Sequence, residues 1–459
     1  MLTPDSNARK ASRNPEDDRV PPARVANLLI VLRSFNDIDH IVPFVHYLLT
    51  ERVGRYRVVL YYARQDSDEI GLNPNIRFLR DALAVQVRTF GGEDLGRLLK
   101  GLERTKDGVV RMIQGIHRNQ TAIRGVTQRL LTVIDRLYYH FVLALTRHKI
   151  DRTVDALQPD VICTDVVDPA TYPYGHLFRL AKSRRIPLVA FPHGLTVFDE
   201  PLDQAGSSRL FGDIGERLKV YDYILAPNEL QKDHVARLGY PATQIQVLGS
   251  LRYEARWLSV LLERVYTDAF GSPGCRHPKI VLFLNKLVYR GRADSVNELI
   301  RVCSAIGSTA VKPHTRDMDV SFLRGADQGG DSVVVDNSVA SSSLIEWCDI
   351  ALFWGTSMGI QVIARGKPFV YPSFAHGYKT IYETYFPDRV ADSLEEVQRL
   401  LSAWRPDAGD DQSAANRERF LRDIVYAGDS NLGVAERYCD LFDSLVGAKA
   451  FNYSGSSTQ

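Results

Sequence analysis

The sequence predicts an α/β protein with parallel sheets, chiefly from the order of its apolar segments. Short apolar runs recur along the chain and alternate with amphipathic helices, as expected for strands whose two faces are covered by helices. Residues 348–372 predict a strand, a small-residue turn, a short helix and a second strand in direct succession. Because 459 residues exceed what one hydrophobic core organises, we expect two domains.

The composition, 45% apolar and 24% charged, is that of an ordinary globular enzyme, and a net charge of +2 gives no overall indication of nucleic-acid binding. The five cysteines are widely separated, without a CxxC pair, which predicts reduced thiols in a cytosolic protein. Residues 1–24 are polar and charged, so we expect a disordered tail without the apolar centre of a signal peptide. No apolar run approaches the ~18 residues of a membrane-spanning helix.

The first predicted strand, 25–32, is followed by a polar loop and an amphipathic helix. In a parallel α/β sheet such a loop faces the ligand-binding crevice. Asp37, Asp39 and His40 are therefore candidate ligand contacts, although Asp37 is equally suited to capping the helix. A second strand is expected at 57–62. Neither strand precedes the glycine-rich fingerprint of a dinucleotide site, which argues against a nicotinamide enzyme.

Residues from about 109 to 157 carry apolar side chains at three- and four-residue spacing, which predicts a long helix or a helical hairpin. Between Arg97 and Arg152 the sequence has 12 Lys or Arg and only 4 acidic residues. One interpretation is a basic face that contacts anionic lipid or a lipid-linked ligand. The other is a solvated helix face. Nucleic acid is disfavoured, because no nucleic-acid-binding module accompanies the charges.

Two further predicted strands of the first half end in residues capable of proton transfer. One strand ends at Asp165, and the other, 186–191, continues directly into Pro-His-Gly with His193 at its centre. Neighbouring parallel strands place their carboxyl ends at the same sheet edge. Asp165 is a candidate general base or, alternatively, a helix cap. His193 is a candidate base, hydrogen-bond donor or phosphate contact.

The second half of the chain contains two segments suited to an anion. Lys312, His314 and Arg316 follow a predicted strand. An ammonium group, an imidazole and a planar guanidinium that donates two parallel hydrogen bonds together suit a diphosphate. The turn Gly355-Thr356-Ser357 lies between a strand and a helix, where backbone N–H groups and hydroxyls suit a phosphate or carboxylate. The alternatives are a structural histidine and a turn of small residues chosen for packing.

Three segments of this half resemble a known family. Lys-Pro-His-Thr at 312–315, Cys-Asp-Ile-Ala-Leu-Phe-Trp-Gly-Thr-Ser at 348–357 and Gly-Lys-Pro-Phe-Val-Tyr-Pro at 366–372 are similar to the C-terminal half of GT-B glycosyltransferases. The likeness is greatest to bacterial surface-polysaccharide enzymes, including CDP-glycerol glycerophosphotransferases and capsular Kdo transferases. Thr315 replaces the usual proline of their Lys/Arg-x-His-Pro motif, and Phe-Pro-His-Gly at 191–194 replaces their Gln-His-Gly.

The resemblance implies two Rossmann-like domains that face each other across a cleft, with a helical basic insertion at about 97–157 in the first. The first domain would present an acceptor, and the second would hold a nucleotide sugar. The expected boundaries are 25–250 for the first domain, 251–425 for the second and 426–459 for a C-terminal helix and tail.

The resemblance also implies a glycosyltransferase that moves a sugar from a CMP- or UDP-linked donor to a surface-polysaccharide or lipid-linked acceptor. Such an enzyme would work in the cytoplasm, at the inner face of the membrane, with no cofactor and no metal. The alternatives are a CDP-glycerol-type glycerophosphotransferase, a nucleotide-sugar 2-epimerase and a non-catalytic scaffold. The residues implied are Asp165 and His193 for catalysis, Asp37, Asp39 and His40 for the acceptor, and Lys312, His314, Arg316, Ser342, Gly355, Thr356 and Ser357 for the donor.

Overall fold

The computed structural model describes most of the chain, with only the backbone described at some helical positions, among them 35–37 and 124–129. The described residues are 24–33, 35–63, 70–71, 73–90, 98, 101–102, 104–110, 112, 124–167, 169, 173–192, 194–199, 219–237, 239–266, 270–271, 276–285, 293–314, 323, 332–335, 338–405, 411–429 and 433–454.

The first half of the chain forms a parallel sheet of seven strands in the order β3-β2-β1-β4-β5-β6-β7. The central strand β1 pairs with β2 on one side and with β4 on the other. Apolar side chains fill both faces of these strands, which is typical of a sheet covered by helices on both sides. The strands are β1 Ala26–Leu32, β2 Tyr56–Tyr62, β3 Gln86–Thr89, β4 Val161–Asp165, β5 Leu188–Phe191, β6 Tyr223–Ala226 and β7 Ile245–Val247.

The second half forms a parallel sheet of six strands in the order β10-β9-β8-β11-β12-β13. Its central pair, β8 and β11, is in register from Ile280 and Ile350 to Phe283 and Phe353. The prediction of two parallel α/β domains is therefore confirmed. The strands are β8 Lys279–Phe283, β9 Ser308–Lys312, β10 Ser332–Val334, β11 Ile350–Phe353, β12 Phe369–Pro372 and β13 Val390–Ala391.

Helices connect these strands, and the longest, α3, lies between β3 and β4 as the predicted helical insertion of the first domain. The principal helices are α1 Phe35–Glu51, α2 Pro74–Leu83, α3 Arg124–Leu157, α4 Tyr174–Ser183, α5 Glu229–Arg237, α6 Ala255–Val260, α7 Ala293–Ile306, α8 Ser341–Trp347, α9 Met358–Ala364, α10 Ile381–Tyr385, α11 Leu394–Ala403, α12 Asp411–Phe420 and α13 Val434–Ser454. Within the described residues, no helix combines the length and the apolar character needed to cross a bilayer.

The segment 373–385 follows β12 directly. The structure contains a 3-10 turn at Ser373–Ala375 and the short helix α10. Thr380 and Glu383 form a capping box at the start of α10, so each satisfies a backbone N–H of the other. Tyr382 is completely buried. The segment is therefore part of the packed second domain.

The last helix, α13, returns to the first domain. The rings of Phe442 and Phe44 lie 4.5 Å apart, and Arg52, directly after α1, donates to Asp443 at 2.9 Å. The linker after β7 is enclosed by the same region. A Cβ on Gly249, whose φ is +98°, would lie 2.8 Å from Val434 Cγ2. Only glycine therefore fits where the chain leaves the first domain.

Candidate functional site

The turn between β11 and α9 is held in a conformation that requires glycine. Gly355 has a φ of +55°, and a Cβ there would lie 2.5 Å from Asn285 Nδ2 and 3.3 Å from the ring of Phe198. The Asn285 amide, at the end of β8, donates to the Gly355 carbonyl at 2.9 Å. Two sheet-edge segments therefore meet at the backbone of this turn.

A buried polar network supports the same turn from inside the second domain. Tyr382 Oη donates to the Thr356 carbonyl at 2.7 Å, and the Gly355 N–H points to Tyr371 Oη at 3.4 Å. Thr380 Oγ1 donates to Tyr371 Oη at 2.8 Å, and His376 Nε2 lies 2.6 Å from that oxygen. Because the network has little solvent access, it fixes the backbone that the candidate ligand would contact.

Burial lowers the pKa of His376 to about 4, so its ring is neutral at physiological pH. Nδ1 accepts a hydrogen bond from the Tyr378 N–H at 3.2 Å. The single ring proton therefore belongs on Nε2, which donates it to Tyr371. This tautomer orients the phenol beneath the turn.

The hydroxyls of the turn have different local roles. Thr356 Oγ1 accepts a hydrogen bond from the Met358 N–H at 3.3 Å, so it satisfies a donor of the first turn of α9. Ser357 precedes α9 without a side-chain capping bond and lies beside the buried phenol of Tyr253 in the interdomain linker. The turn predicted from the sequence is thus placed between the second domain and the linker.

Lys312 and His314 lie at the end of β9, at the same edge of the second sheet. Lys312 is buried, and its Nζ donates to the Val339 carbonyl at 2.8 Å, which ties β9 to the segment before α8. His314 is half-buried two residues further on. Arg316, the third member of the predicted diphosphate clamp, lies outside the described residues.

Ser342 lies in the first turn of α8 and accepts a hydrogen bond from Gln361 Nε2 on α9 at 2.7 Å. It therefore links the helix after β10 to the helix after the Gly355 turn. No side chain caps α8, and the residue at its N-cap position is Ala340. Ser342 stays a candidate donor contact.

On the first domain, Asp165 ends β4 and is completely buried. Arg33, directly after β1, donates from Nη2 to Asp165 Oδ2 at 2.9 Å. This charge-assisted bond fixes one edge of the carboxylate. The alternative that Asp165 caps a helix is not supported, because the next described helix, α4, begins after Pro173.

His193 lies outside the described residues, but the strand before it, β5, ends beside Asp165. Phe191 at the end of β5 is the register partner of Asp165 at the end of β4, so the two strand ends are neighbours as expected. The segment that follows, 194–199, crosses to the second domain. Phe198 forms a β-bridge with Thr380, and the Ile381 N–H donates to the Val197 carbonyl at 2.9 Å.

The segment 194–199 brings the two halves of the candidate site together, one from each domain. The sequence analysis did not predict this crossing. The Phe198 ring borders the Gly355 turn, while the same segment begins at the end of β5, beside Asp165. The contacts of Phe198 and Asn285 with the Gly355 turn were not predicted, because each joins residues that are far apart in the sequence. The signal available for Phe198 was an apolar pair, Val197 and Phe198, that begins three positions after Gly194.

The residues proposed for the acceptor occupy the start of α1. Asp39 accepts from Arg252 Nη2 in the linker at 3.0 Å and from Asn75 Nδ2 at 3.3 Å. His40 is buried, and the side chain of Asp37 lies outside the described residues. These residues were predicted to lie in a loop before the helix, but the structure places them within α1. Arg252, which the sequence analysis overlooked, thus connects the start of α1 to the interdomain linker.

No set of three or more His, Cys, Asp and Glu side chains in the described part of the chain is arranged to hold a metal ion. The described cysteines, Cys163, Cys303, Cys348 and Cys439, are free and buried. On the side of the first domain the candidate site offers a buried carboxylate with its arginine, and on the side of the second domain it offers hydroxyls, a lysine and an imidazole.

Two parallel α/β domains that meet at the carboxyl ends of their strands define the GT-B class of fold. The chain is similar to UDP-GlcNAc 2-epimerase from Neisseria meningitidis bound to UDP-GlcNAc, with a TM-score of 0.53 and 12% identity over 92% of this chain and 100% of that one. It is also similar to a glycosyltransferase from Rickettsia africae, with a TM-score of 0.50 and 9% identity over 92% and 99%. No protein-family model and no curated protein matches the sequence. At such identities the likeness shows the fold alone.

Proposed function

We propose that this protein is a GT-B glycosyltransferase that moves a sugar from a nucleotide-activated donor, CMP- or UDP-linked, to a surface-polysaccharide or lipid-linked acceptor. The observation that carries the proposal is the rigidly held Gly355–Ser357 turn, which Phe198 joins to the sheet edge that bears Asp165. The epimerase similar in fold is described as bound to UDP-GlcNAc, and the other neighbour as a glycosyltransferase. Both support a nucleotide-sugar ligand for this cleft.

In the proposed reaction the second domain holds the donor and stabilises the leaving phosphate. Hydroxyls, a lysine and an imidazole at one sheet edge supply fixed donors where negative charge develops, so no solvent needs to reorganise. Ser342 would contact the nucleoside side of the ligand. The proposed donor residues are Lys312, His314, Arg316, Ser342, Gly355, Thr356 and Ser357.

The first domain would position the acceptor hydroxyl and remove its proton. Asp165 is the proposed general base, because Arg33 orients its carboxylate at the edge of the sheet that faces the donor domain. His193 would assist beside it, two positions past the register partner of Asp165. Asp37, Asp39 and His40 would bind the acceptor. Orientation of two bound reactants supplies much of the rate enhancement in such a site.

Thermal unfolding with a panel of CMP-Kdo, CDP-glycerol, UDP-sugars and GDP-sugars tests the donor site. A ligand at about 100 times its Kd stabilises the folded protein by about 2.7 kcal/mol. We expect one nucleotide class to raise the Tm of the wild type and of the control His148→Ala, which alters an exposed histidine on α3. The same ligand should leave His314→Ala unshifted. A folded wild type that responds to none of these compounds would contradict the proposal.

A nucleotide-sugar 2-epimerase is the second candidate, because the epimerase neighbour is covered along its whole length. An epimerase inverts a sugar carbon without an acceptor, so acids must carry protons to and from that carbon. In this cleft Asp165 contacts Arg33, and Asp39 contacts Arg252. Incubation with UDP-GlcNAc alone separates the candidates: a C2-epimerised nucleotide sugar supports the epimerase, and transfer that requires an acceptor supports the transferase.

A further inference from the structure

The second half of the helix α3 anchors it to the first domain. Ile150, Val154 and Leu157 are buried in the core beside β4, and Asp151 is 2.7 Å from His176 on α4. The helix has 34 residues, so it spans about 50 Å, whereas the five-residue strand β4 spans roughly 17 Å. The first half of α3 therefore extends well beyond the sheet.

The outer surface of α3 carries exposed apolar side chains from the extending first half into the start of the second half. Leu130, Val133, Leu137, Phe141 and Leu145, here called the outer stripe, are between 37% and 66% exposed. Their three- and four-residue spacing places them along one side of the helix. A surface helix normally turns its apolar stripe towards the core, so the outer stripe is reversed. Contiguous exposed apolar surface of this kind marks an interaction site.

Basic side chains surround the outer stripe. Arg147, Lys149 and Arg152 are exposed on the turns that follow it, and Arg104 is exposed on the neighbouring segment 104–110. That segment lies against α3, since Lys106 Nζ is 4.9 Å from the centre of the Tyr138 ring.

The acidic side chains described in this region are engaged in ion pairs. Asp151 is 2.7 Å from His176, Asp155 is 2.6 Å from Arg184, and Asp107 is 3.8 Å from Lys106. They therefore offset little of the positive charge on the outer surface, consistent with the excess of eight basic over acidic residues between 97 and 152.

We propose that the outer stripe and its basic surround form a docking surface for an anionic lipid bilayer, with α3 lying in the plane of the interface. Apolar side chains would enter the boundary between head groups and acyl chains, while arginine and lysine contact the phosphates. A second copy of this chain fits the surface less well. A two-fold contact would set the same positive surface against itself, and like charges across an interface are unfavourable.

The direction of α3 adds a consequence that rests on the proposed function. The helix precedes β4 in the chain and packs beside it, so the helix is antiparallel to the strand. Its extending half therefore points to the sheet edge where Asp165 lies. Docking would therefore hold the mouth of the cleft near the bilayer, where a lipid-linked acceptor resides. The docking itself requires no transferase activity.

Flotation of the full-length protein with lipid vesicles tests the docking surface. We expect binding to vesicles that contain phosphatidylglycerol, weak binding to phosphatidylcholine alone, and release at high salt. The double variants Leu137→Gln/Phe141→Gln and Arg147→Glu/Arg152→Glu should each weaken binding by about tenfold or more. The control Val53→Gln alters a valine that is 78% exposed outside α3, and it should bind as the wild type does.

Two results would overturn the proposal. The first is equal vesicle binding by the wild type and by both double variants, each with an unchanged Tm. The second is a wild type that is oligomeric by light scattering, ignores vesicles and becomes monomeric in Leu137→Gln/Phe141→Gln, since the surface would then bind a second copy. Because the readout is binding, failure of the proposed transfer activity would leave this outcome unaffected.

Discussion

At the scale of single residues, Asp165 combines complete burial with a charged partner at 2.9 Å. The arginine fixes the orientation of the carboxyl group by a charge-assisted hydrogen bond. The aspartate is also the last residue of β4, and the pairing of β4 with β5 holds its backbone in place. Its environment is therefore that of a positioned carboxyl group at a sheet edge.

We expect Asp165→Asn to lower kcat by roughly 10²- to 10⁴-fold with little change in KM, because the amide keeps the shape but accepts no proton. Steady-state kinetics with the donor found by thermal unfolding measure this. Asp155→Asn, which alters an exposed carboxylate on α3, is the matched control and should keep full activity. Wild-type kcat in Asp165→Asn would remove this residue from the proposed chemistry.

At the scale of elements, the turn between β11 and α9 depends on glycine for two separate reasons. One is the positive φ of Gly355, and the other is the approach of Asn285 and Phe198. A second glycine separates the two effects, because Gly428 has a φ of +84° but nothing within 4 Å of an added Cβ. A comparison of alanine substitutions at Gly355 and Gly428 therefore isolates the contribution of packing at the candidate site.

We expect Gly428→Ala to cost about 1 kcal/mol of unfolding free energy from backbone strain alone. Gly355→Ala should cost more, because its methyl group also displaces Asn285 and Phe198. It should also abolish the Tm shift by the nucleotide ligand, whereas Gly428→Ala should retain it. Denaturant unfolding and thermal-shift assays measure both quantities. Equal losses at the two positions would contradict the importance of packing at this turn.

The strands of both sheets were predictable from sequence, because each central strand is a compact apolar run. The predicted strand 25–32 is β1 Ala26–Leu32, and the predicted strand 57–62 is β2 Tyr56–Tyr62. The edge strands β3 and β13 were missed, since Gln86–Thr89 alternates polar and apolar residues and β13 has only two residues. Local pattern fixes a central strand better than an edge strand.

The candidate site was less predictable than the fold. The sequence analysis identified the Gly355–Ser357 turn and the end of β4, where chemically capable residues follow an apolar run. It missed Arg33, Asn285 and Arg252, because their partners are 132, 70 and 213 positions away along the chain. The order of the strands and the path of the linker bring these residues together, and neither can be read from a single sequence.

At the scale of the whole molecule, the join between the domains contains a buried carboxyl group. Glu254 follows the linker, is completely buried, and lies close to Tyr47 on α1. Burial raises the pKa of Glu254 to about 7, with a smaller opposing contribution from the Tyr47 hydroxyl. The folded protein therefore retains this proton at pH values where the unfolded chain has released it.

This difference makes stability fall as pH rises from about 4.5 to about 7, because the folded state binds the extra proton in that window. We expect Glu254→Gln, which is neutral throughout, to unfold at higher urea concentration than the wild type above about pH 7, by up to roughly 3 kcal/mol. Near pH 5 the gain should be small. Glu263→Gln, an exposed control in the same region, should show no such dependence. A pH-independent difference for Glu254→Gln would contradict the raised pKa.

The return of α13 to α1 also bears on how the chain is made. Phe44 is covered by Phe442, and Arg52 by Asp443, so the outer side of α1 acquires its cover from the last helix. About 400 residues separate these partners, and at 5–20 residues per second a ribosome needs roughly 20–80 s to synthesise them. Throughout that time the first domain emerges with an apolar helix face uncovered. The native fold of the first domain is therefore completed only after α13 has been synthesised.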